Sequence, residues 1–189
     1  GELEHFYCEA EAIMGIAGPK DTPWFMSKEY PLPAHRFNAV DEILHEKYGN
    51  LHISQPTARP SVPFGKRPAC CTSSVCNLCP IDSKFTVLNG LEQVYKHTNV
   101  SLRFHANVQQ LSFEAGMVKG VEFFNAEGGH EQVDAELVVL GANAIFNPTI
   151  LLKSGMEHEW LGRGVGEQAS IYAFVDYTQD VQNFGGSTV

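Results

Sequence analysis

The stretch ELVVLGANAIFNPTILLKSG, residues 136 to 155, decides how the rest of the chain is interpreted. A hydrophobic run, Leu137–Leu140, leads into the small residues Gly141 and Ala142 and then into a helical pattern. Small residues after a strand let a ligand approach the backbone closely, and a helix N-terminus offers free N–H groups and a positive dipole end. The pattern by itself indicates either a nucleotide or flavin contact or an ordinary strand-to-helix connection.

The sequence on both sides of this stretch predicts a mixed α/β (α+β) fold. Helical spacing predicts helices over residues 3–14, 37–50 and 85–99, and in the last of these Val87, Leu88 and Leu91 should face inward. Asn147 and Pro148 provide N-cap and first-turn signals for a short helix that ends before Gly155. Alternating patterns predict strands near Val100–Phe104, Val108–Phe113, Met117–Asn125, His130–Asp134 and Leu137–Leu140. Helices, a β-meander and a strand that leads into a helix are typical of α/β or α+β proteins.

Four of the five cysteines lie within ten positions of the stretch RPACCTSSVCNLCPIDSK, at Cys70, Cys71, Cys76 and Cys79. The spacing Cys71-x4-Cys76-x2-Cys79 matches an iron–sulfur pattern, and Cys79-Pro80 is ferredoxin-like. Cys70 and Cys71 are adjacent and point in different directions, so three ligands from the four candidates form the economical set. A four-thiolate zinc site, a local disulfide and buried thiols without metal are the alternatives.

Composition and charge narrow the classes of protein and partner. The chain has 189 residues, 43% of them hydrophobic and 19% charged, which suits a globular protein of one or two domains. A net charge of -9 argues against nucleic acid and anionic membrane as direct partners. We predict no transmembrane segment, since no apolar run approaches ~20 residues. Both ends have the pattern of an internal piece of a larger protein.

The segment NAIFNPTILLKSGM, Asn143–Met156, resembles the second signature of the glucose–methanol–choline (GMC) flavoprotein oxidoreductases. The sequence departs from that signature at Asn143, at Asn147 and, directly after the segment, at Glu157. The stretches LEHFYCEAEAIMGIAGPKDTPW, YPLP and NVSLRFHANVQQLSFEAGMVKGVEFFNAEGG resemble further parts of the family in the same order. The cysteine-rich stretch is similar to an insert in the large subunits of bacterial, membrane-linked sugar and polyol dehydrogenases. The signature is matched at Ala144, Pro148, Ile150, Leu151, Ser154, Gly155 and Met156.

The resemblance implies part of a GMC-type FAD-binding domain together with the start of a substrate domain. It divides the chain into a helical and extended region (1–66), a cluster loop (67–84), an FAD-binding segment with the meander (85–160) and the start of the substrate domain (161–189). It also implies a 3Fe–4S cluster on the cysteines Cys70, Cys71, Cys76 and Cys79. The residues expected along FAD are Val108 through its backbone, Gly141, Ala142, Asn143 and Pro148.

The function implied by the resemblance is FAD-dependent oxidation of the CH–OH group of an alcohol, sugar or polyol. Electrons would pass through the iron–sulfur cluster to a haem subunit or quinone, in a periplasmic, membrane-associated complex that also has a small subunit. No catalytic residue is predicted in this chain, because the base and the pyrophosphate loop are expected elsewhere. The alternative is a non-enzymatic module that binds metal or docks onto a partner.

Overall fold

The computed structural model describes residues 1–73, 76–167, 169–172, 174, 176–178, 180 and 181. The chain forms two compact units, one that contains Gly1–Val100 and one that spans Ser101–Ala173. Both units contain helices and strands, so the predicted mixed α/β class is confirmed. No helix in the described ranges has the length and apolar character needed to cross a membrane. The four functional regions predicted from sequence stay a prediction.

Two of the helices predicted for the first unit form, although α1 contains no buried residue. Helix α1 spans Glu4–Met14 and ends at Gly15, whose φ of 63° is favoured only by glycine and a few polar residues. A Cβ on Gly15 would also lie 2.6 Å from the Phe64 ring, so the close approach requires glycine. Helix α2 spans Ala39–Tyr48 and begins after Asn38, whose side chain accepts a hydrogen bond from the Asp41 N–H.

The single helix predicted over residues 85–99 is wrong. The structure has two one-turn helices instead, α3 at Val87–Gly90 and α4 at Glu92–Tyr95. The Phe85 ring lies 2.0 Å from the position of a Gly90 Cβ, so only glycine fits beside this ring at the end of α3. A reciprocal capping box between Thr86 and Asn89 closes the first short helix. Val87 and Leu88, which were expected to face inward, are consequently exposed.

A small sheet organises the first unit around Ala17, which is fully buried. Strand β1, Ala17–Gly18, pairs in parallel with strand β2, Leu32–Pro33. On its other side Ala17 exchanges two backbone hydrogen bonds with Thr57, at 2.9 and 3.0 Å. This contact places the extended segment that leads to the cysteines beside the end of α1.

The second unit is built on the predicted antiparallel meander. Strands β3 (Asn107–Glu114), β4 (Met117–Phe124) and β5 (His130–Asp134) lie in the order β3-β4-β5. The strands predicted at residues 100–104 and 137–140 are wrong, since the structure assigns no strand to either segment. A strand requires a neighbour that accepts and donates its backbone hydrogen bonds, and Leu137 and Val139 are instead 80% and 82% exposed.

Helix α5, Asn143–Lys153, begins four residues before the predicted N-cap at Asn147, so Pro148 lies inside the helix. Asn143 takes the capping role, because its Oδ1 accepts hydrogen bonds from the N–H groups of Ile145 and Phe146. Asn147 instead fixes the preceding turn, accepting from the Ala142 N–H and donating to the Leu140 carbonyl. The helix packs against β3, and the buried hydrophobic residues among those described in this unit are Leu111, Phe123 and Ile150.

We expect Gly120→Ala to destabilise the second unit. Gly120 lies in β4, and an added Cβ would sit 2.1 Å from the Val133 carbonyl oxygen in the neighbouring strand. Backbone cannot move aside as a flexible side chain does, so the free energy of unfolding should fall by about 1–3 kcal/mol in urea denaturation. Gly141→Ala is the control, since no atom lies within 4 Å of that Cβ position. Equal midpoints for the two variants would contradict the packing described for β4 and β5.

Candidate functional site

A cleft of about 460 Å³ lies in the second unit between the beginning of β3 and one face of α5. The β3 side consists of residues 106–109, and the helix side of residues spaced three or four apart. Two of the residues predicted to contact FAD, Val108 and Ala142, line this cleft together. The helical face is completed by Phe146, Thr149, Ile150 and Lys153.

A β-bulge shapes the strand side of the cleft. Val108 is opposite Phe123 and Gln110 is opposite Glu122, so Gln109 is an extra residue in β3. Bulges are common next to functional sites because they redirect a side chain and release backbone groups from the ladder. Here the Gln109 Oε1 accepts a hydrogen bond of 3.1 Å from the Lys153 Nζ. Sequence analysis missed both residues, although the two consecutive glutamines interrupt the alternation that a regular strand would show.

The other three predicted FAD residues do not line the cleft. Asn143 has a φ of 75°, a left-handed conformation that glycine favours and asparagine tolerates, which explains asparagine where the GMC signature has glycine or serine. Pro148 lies near Gly162, since a Cβ there would be 4.0 Å from the proline Cβ. Gly141 has open space where a side chain would be. The contacts of all five residues with FAD stay predictions.

The cysteine loop, residues 70–82, is fastened at both ends within the first unit; its residues 74 and 75 lie outside the described ranges. At one end the Cys70 N–H donates to the Pro60 carbonyl at 2.8 Å. Just beyond the other end, Ser83, which is 1% exposed, donates from its hydroxyl to the Pro68 carbonyl at 2.8 Å. The Phe85 N–H then donates to the Ala58 carbonyl at 2.9 Å, so the short segment 58–60 holds both ends.

The thiols of this loop fit the donor chemistry of a soft metal centre. All four cysteines are free of disulfides. Backbone N–H groups of Lys84, Ile81 and Ser83 lower the pKa of the Cys79 thiol, with Lys84 contributing most and burial opposing them. The structure does not gather the ligands: among the described residues, no group of three His, Cys, Asp or Glu side chains is placed to hold a metal ion. The ligand set of Cys70, Cys71, Cys76 and Cys79 stays a prediction.

Two buried arginines lie at the base of the cysteine loop. Arg67 is 4% exposed and donates to the carbonyls of Met14 and Ala58. Its guanidinium also lies over the rings of Phe64 and Phe85, at 5.4 and 5.3 Å from their centroids. Burial lowers the pKa of Arg67, and the charge of Asp82 opposes that shift.

The second of these arginines is Arg59, which is 5% exposed. Sequence analysis missed both arginines. The sequence feature that the two share is a following proline, at Arg59-Pro60 and Arg67-Pro68. Proline favours extended backbone at the residue before it, so this dipeptide predicts the backbone conformation of the two arginines and not their burial.

His35 lies two residues after β2 and is buried. It connects the small sheet to the segment that contains Arg59. Its ring Nε2 donates to the Arg59 carbonyl at 2.7 Å, which fixes the neutral tautomer. Burial lowers the pKa of His35; the hydrogen bond to that carbonyl opposes the shift, and the charge of Arg59 adds to it.

The sequence model of the GMC oxidoreductase family matches residues 61–170, which contain the cysteine loop, the meander and the cleft. The chain belongs to the GMC oxidoreductase family. The resemblance found in Asn143–Met156 is thereby confirmed at the level of the family.

One curated relative of this GMC chain is the fructose dehydrogenase large subunit of Gluconobacter japonicus. It is 27% identical over 168 residues, which cover 80% of this chain and 29% of the relative. The chain therefore spans less than a third of the length of that relative.

We expect the stability of the first unit to fall as the pH drops below about 6.5, the ordinary pKa of histidine. The pKa of His35 is lowered in the folded state, so the unfolded chain takes up the proton first and acid favours unfolding. Urea midpoints measured between pH 5 and 8 should show this loss, and His35→Gln should weaken the dependence while keeping an N–H donor for Arg59. The exposed His97 supplies the control, and His97→Gln should leave the dependence unchanged. An unaltered pH profile in His35→Gln would refute the assignment.

Asn143→Ala should destabilise α5 more than Asn143→Gly does. Alanine loses the two capping hydrogen bonds and also strains a backbone with φ of 75°, whereas glycine loses only the cap. The expected cost is about 1–2 kcal/mol for alanine and a few tenths for glycine, measured by urea denaturation. If the two variants are equally stable, the left-handed conformation at Asn143 is wrong.

Proposed function

We propose that this chain is part of an FAD-dependent dehydrogenase that oxidises the CH–OH group of an alcohol, sugar or polyol. The observation that carries the proposal is the GMC family match, which spans both the cysteine loop and the cleft. The relative from Gluconobacter japonicus is named for dehydrogenation of fructose, and this name supports a sugar or polyol within the wider substrate class.

The cleft is the part of the chain that we propose to contact FAD. Its lining by Val108 and Ala142, two residues singled out independently from the sequence, supports the proposal. The bulge at Gln109 frees backbone groups beside Val108, and such groups can bind the edge of an adenine ring. When bound, FAD would supply the hydride acceptor for the substrate C–H bond. We assign no catalytic base to this chain.

The cysteine loop is the part that we propose to hold an iron–sulfur cluster, which carries electrons onward to an external acceptor. Four free thiols and an N–H environment that favours the Cys79 thiolate support this assignment. The printed name of the relative, a large subunit, supports assembly with further subunits. We extend the proposal to a haem-containing acceptor, a small subunit and a periplasmic, membrane-associated complex.

A metal-binding module without enzymatic activity is the second candidate. It is favoured by one observation, namely that the anchors of the cysteine loop, Ala58, Pro60, Pro68 and Ser83, all belong to the first unit. A metal could then be held without any flavin. The two candidates differ in whether iron is accompanied by sulfide and whether the protein binds FAD.

We predict that anaerobically purified protein contains iron and acid-labile sulfide near the 3:4 ratio of the proposed cluster and shows an EPR signal in the oxidised state. Cys79→Ser should reduce iron to background, because serine is a poor ligand for iron in place of a thiolate. Cys8→Ser is the matched control, since Cys8 lies in α1 outside the loop and should leave the iron content unchanged.

FAD binding is measured separately, by quenching of flavin fluorescence on titration with the protein. Iron with sulfide and bound FAD together support the dehydrogenase. Zinc without sulfide and without flavin binding would overturn it in favour of the metal-binding module. Well-folded protein that contains no metal would contradict the iron–sulfur cluster of the first candidate and the metal site of the second.

A further inference from the structure

A second cavity, of about 320 Å³, lies beside the cleft on one face of the meander. Its volume is at the lower end of the range of small-molecule sites, about 300–1,000 Å³. The hydrogen bond between Lys153 and Gln109 borders both the cleft and this cavity. The complete lining is Gln109, Gln110, Glu122, Phe124, His130 and Lys153. It combines one aromatic ring with five side chains that can donate or accept hydrogen bonds.

The register of the sheet brings four of these side chains together. Gln110 in β3 lies opposite Glu122 in β4, and His130 in β5 lies opposite Phe124 in β4. Glu122 and Phe124 are two residues apart in one strand, so their side chains lie on the same face of the sheet. The wall of the cavity is therefore fixed by the pairing of all three strands.

The Glu122 carboxylate is held in place and still has a free acceptor. Its Oε2 accepts hydrogen bonds from the Gln110 Nε2 at 2.9 Å and from the His130 Nε2 at 3.1 Å. Its side chain is 20% exposed, compared with 53% for His130. The second oxygen, Oε1, has no hydrogen-bond partner among the described residues. A positioned carboxylate with one free oxygen is a strong acceptor for a ligand hydroxyl.

Other lining groups add donors and acceptors. The Lys153 Nζ has three N–H donors, and one of them reaches the Gln109 Oε1 at 3.1 Å. The Gln110 Oε1 accepts no hydrogen bond in the part of the chain that the structure describes. The Nδ1 of a neutral His130 ring whose Nε2 donates to Glu122 is a further acceptor. The cavity can thus both give and receive hydrogen bonds.

The Phe124 ring supplies an apolar contact at the same place. Phe124 is 40% exposed, and its ring is nearly perpendicular to the ring of His130, with centroids 5.6 Å apart and an interplanar angle of 71°. The face of an aromatic ring has negative partial charge and attracts the C–H groups of a ligand. One wall of the cavity is therefore suited to a C–H surface, while the remaining side chains are suited to hydroxyl groups.

The charges of the lining favour a neutral ligand. Apart from His130, the charged groups are Glu122 and Lys153, which have opposite signs, so an anion or a cation would meet repulsion from one of them. In the described ranges, no three His, Cys, Asp or Glu side chains are placed to hold a metal ion. A sugar or polyol is neutral, has hydroxyls that both donate and accept, and has C–H groups for an aromatic ring.

We propose that this cavity binds a monosaccharide or polyol, with Glu122 and Lys153 bound to its hydroxyls and Phe124 packed against its C–H groups. The inference goes beyond the proposed function, because it requires neither FAD nor a metal in this chain. It assigns a ligand to residues that the FAD cleft and the cysteine loop do not use, namely Gln110, Glu122, Phe124 and His130.

The test is a titration of the isotope-labelled, full 189-residue chain with D-fructose and, separately, with D-sorbitol, followed by NMR of the backbone amides. We expect saturable shifts at Glu122, Phe124 and His130, with a Kd in the millimolar range. Glu122→Ala should raise this Kd at least about tenfold, because it removes the charged acceptor. Glu127→Ala is the matched control, since Glu127 is an exposed carboxylate in the turn between β4 and β5 and should leave the Kd unchanged.

Two further variants keep the test decisive if Glu122→Ala does not fold. Phe124→Leu keeps an apolar side chain but removes the ring, and Lys153→Met keeps the aliphatic stem but removes the N–H donors. Each changes an exposed residue and should raise the Kd about threefold. The dispersion of the amide signals shows which variants are folded. Acetate, an anion without hydroxyls, is the control ligand and should cause no saturable shifts at this cavity.

The outcomes separate this inference from the proposed function. Saturable binding that weakens in Glu122→Ala, or in Phe124→Leu and Lys153→Met, and not in Glu127→Ala establishes the site. No saturable shifts in the parent chain, an unchanged Kd in the folded variants, or shifts confined to the cleft would overturn it. Failure of the same chain to bind FAD would contradict the proposed dehydrogenase and leave the sugar site standing.

Discussion

The Arg67 guanidinium is the interaction on which the first unit depends. It donates to the last carbonyl of α1, at Met14, and to the Ala58 carbonyl, and it lies over the rings of Phe64 and Phe85. Three parts of the chain, at residue 14, at residues 58–67 and at residue 85, therefore meet at one side chain. A cation is costly to remove from water, and here carbonyl oxygens and aromatic faces replace the lost hydration. Because Phe85 follows the cysteine loop and Arg67 precedes it, the same contact fixes where that loop leaves and rejoins the unit.

In the second unit, α5 packs against β3, and a cleft lies between part of the helix and the beginning of that strand. The Ser154 hydroxyl accepts from the Leu111 N–H at 2.8 Å and donates to the Ile150 carbonyl, so the end of α5 is tied to the middle of β3. Closer to the start of β3, the bulge at Gln109 interrupts the ladder of backbone hydrogen bonds. Opposite this part of β3, Ala142 before the helix and Phe146 within it line the cleft. The end of α5 is thus tied to the middle of β3, and the cleft lies between the beginning of β3 and the helix side that runs from Ala142 to Lys153.

Local patterns predicted the elements whose causes are local. Helix α1, helix α2 and the three-stranded meander follow from periodicity, capping residues and turn residues that are adjacent in sequence. The two short helices after residue 86 depend on the Phe85 ring against Gly90, a contact that periodicity does not encode. The start of α5 was mistaken because Asn143 and Asn147 can both cap a helix, and only the fold shows which one does. Val108 and Ala142 were predicted as site residues, but their shared cleft depends on packing between β3 and α5.

The cysteine spacing was visible in the sequence, whereas the charge around it was not. A chain with a net charge of -9 indicates an acidic surface, yet the base of the cysteine loop contains two buried guanidinium groups. Long-range attraction depends on the summed charge, while the properties of a buried centre depend on the few charges and N–H donors within hydrogen-bonding distance. The contact from Arg59 to Cys70 belongs to the second kind. An overall acidic composition is therefore compatible with a buried guanidinium beside the Cys70 thiol.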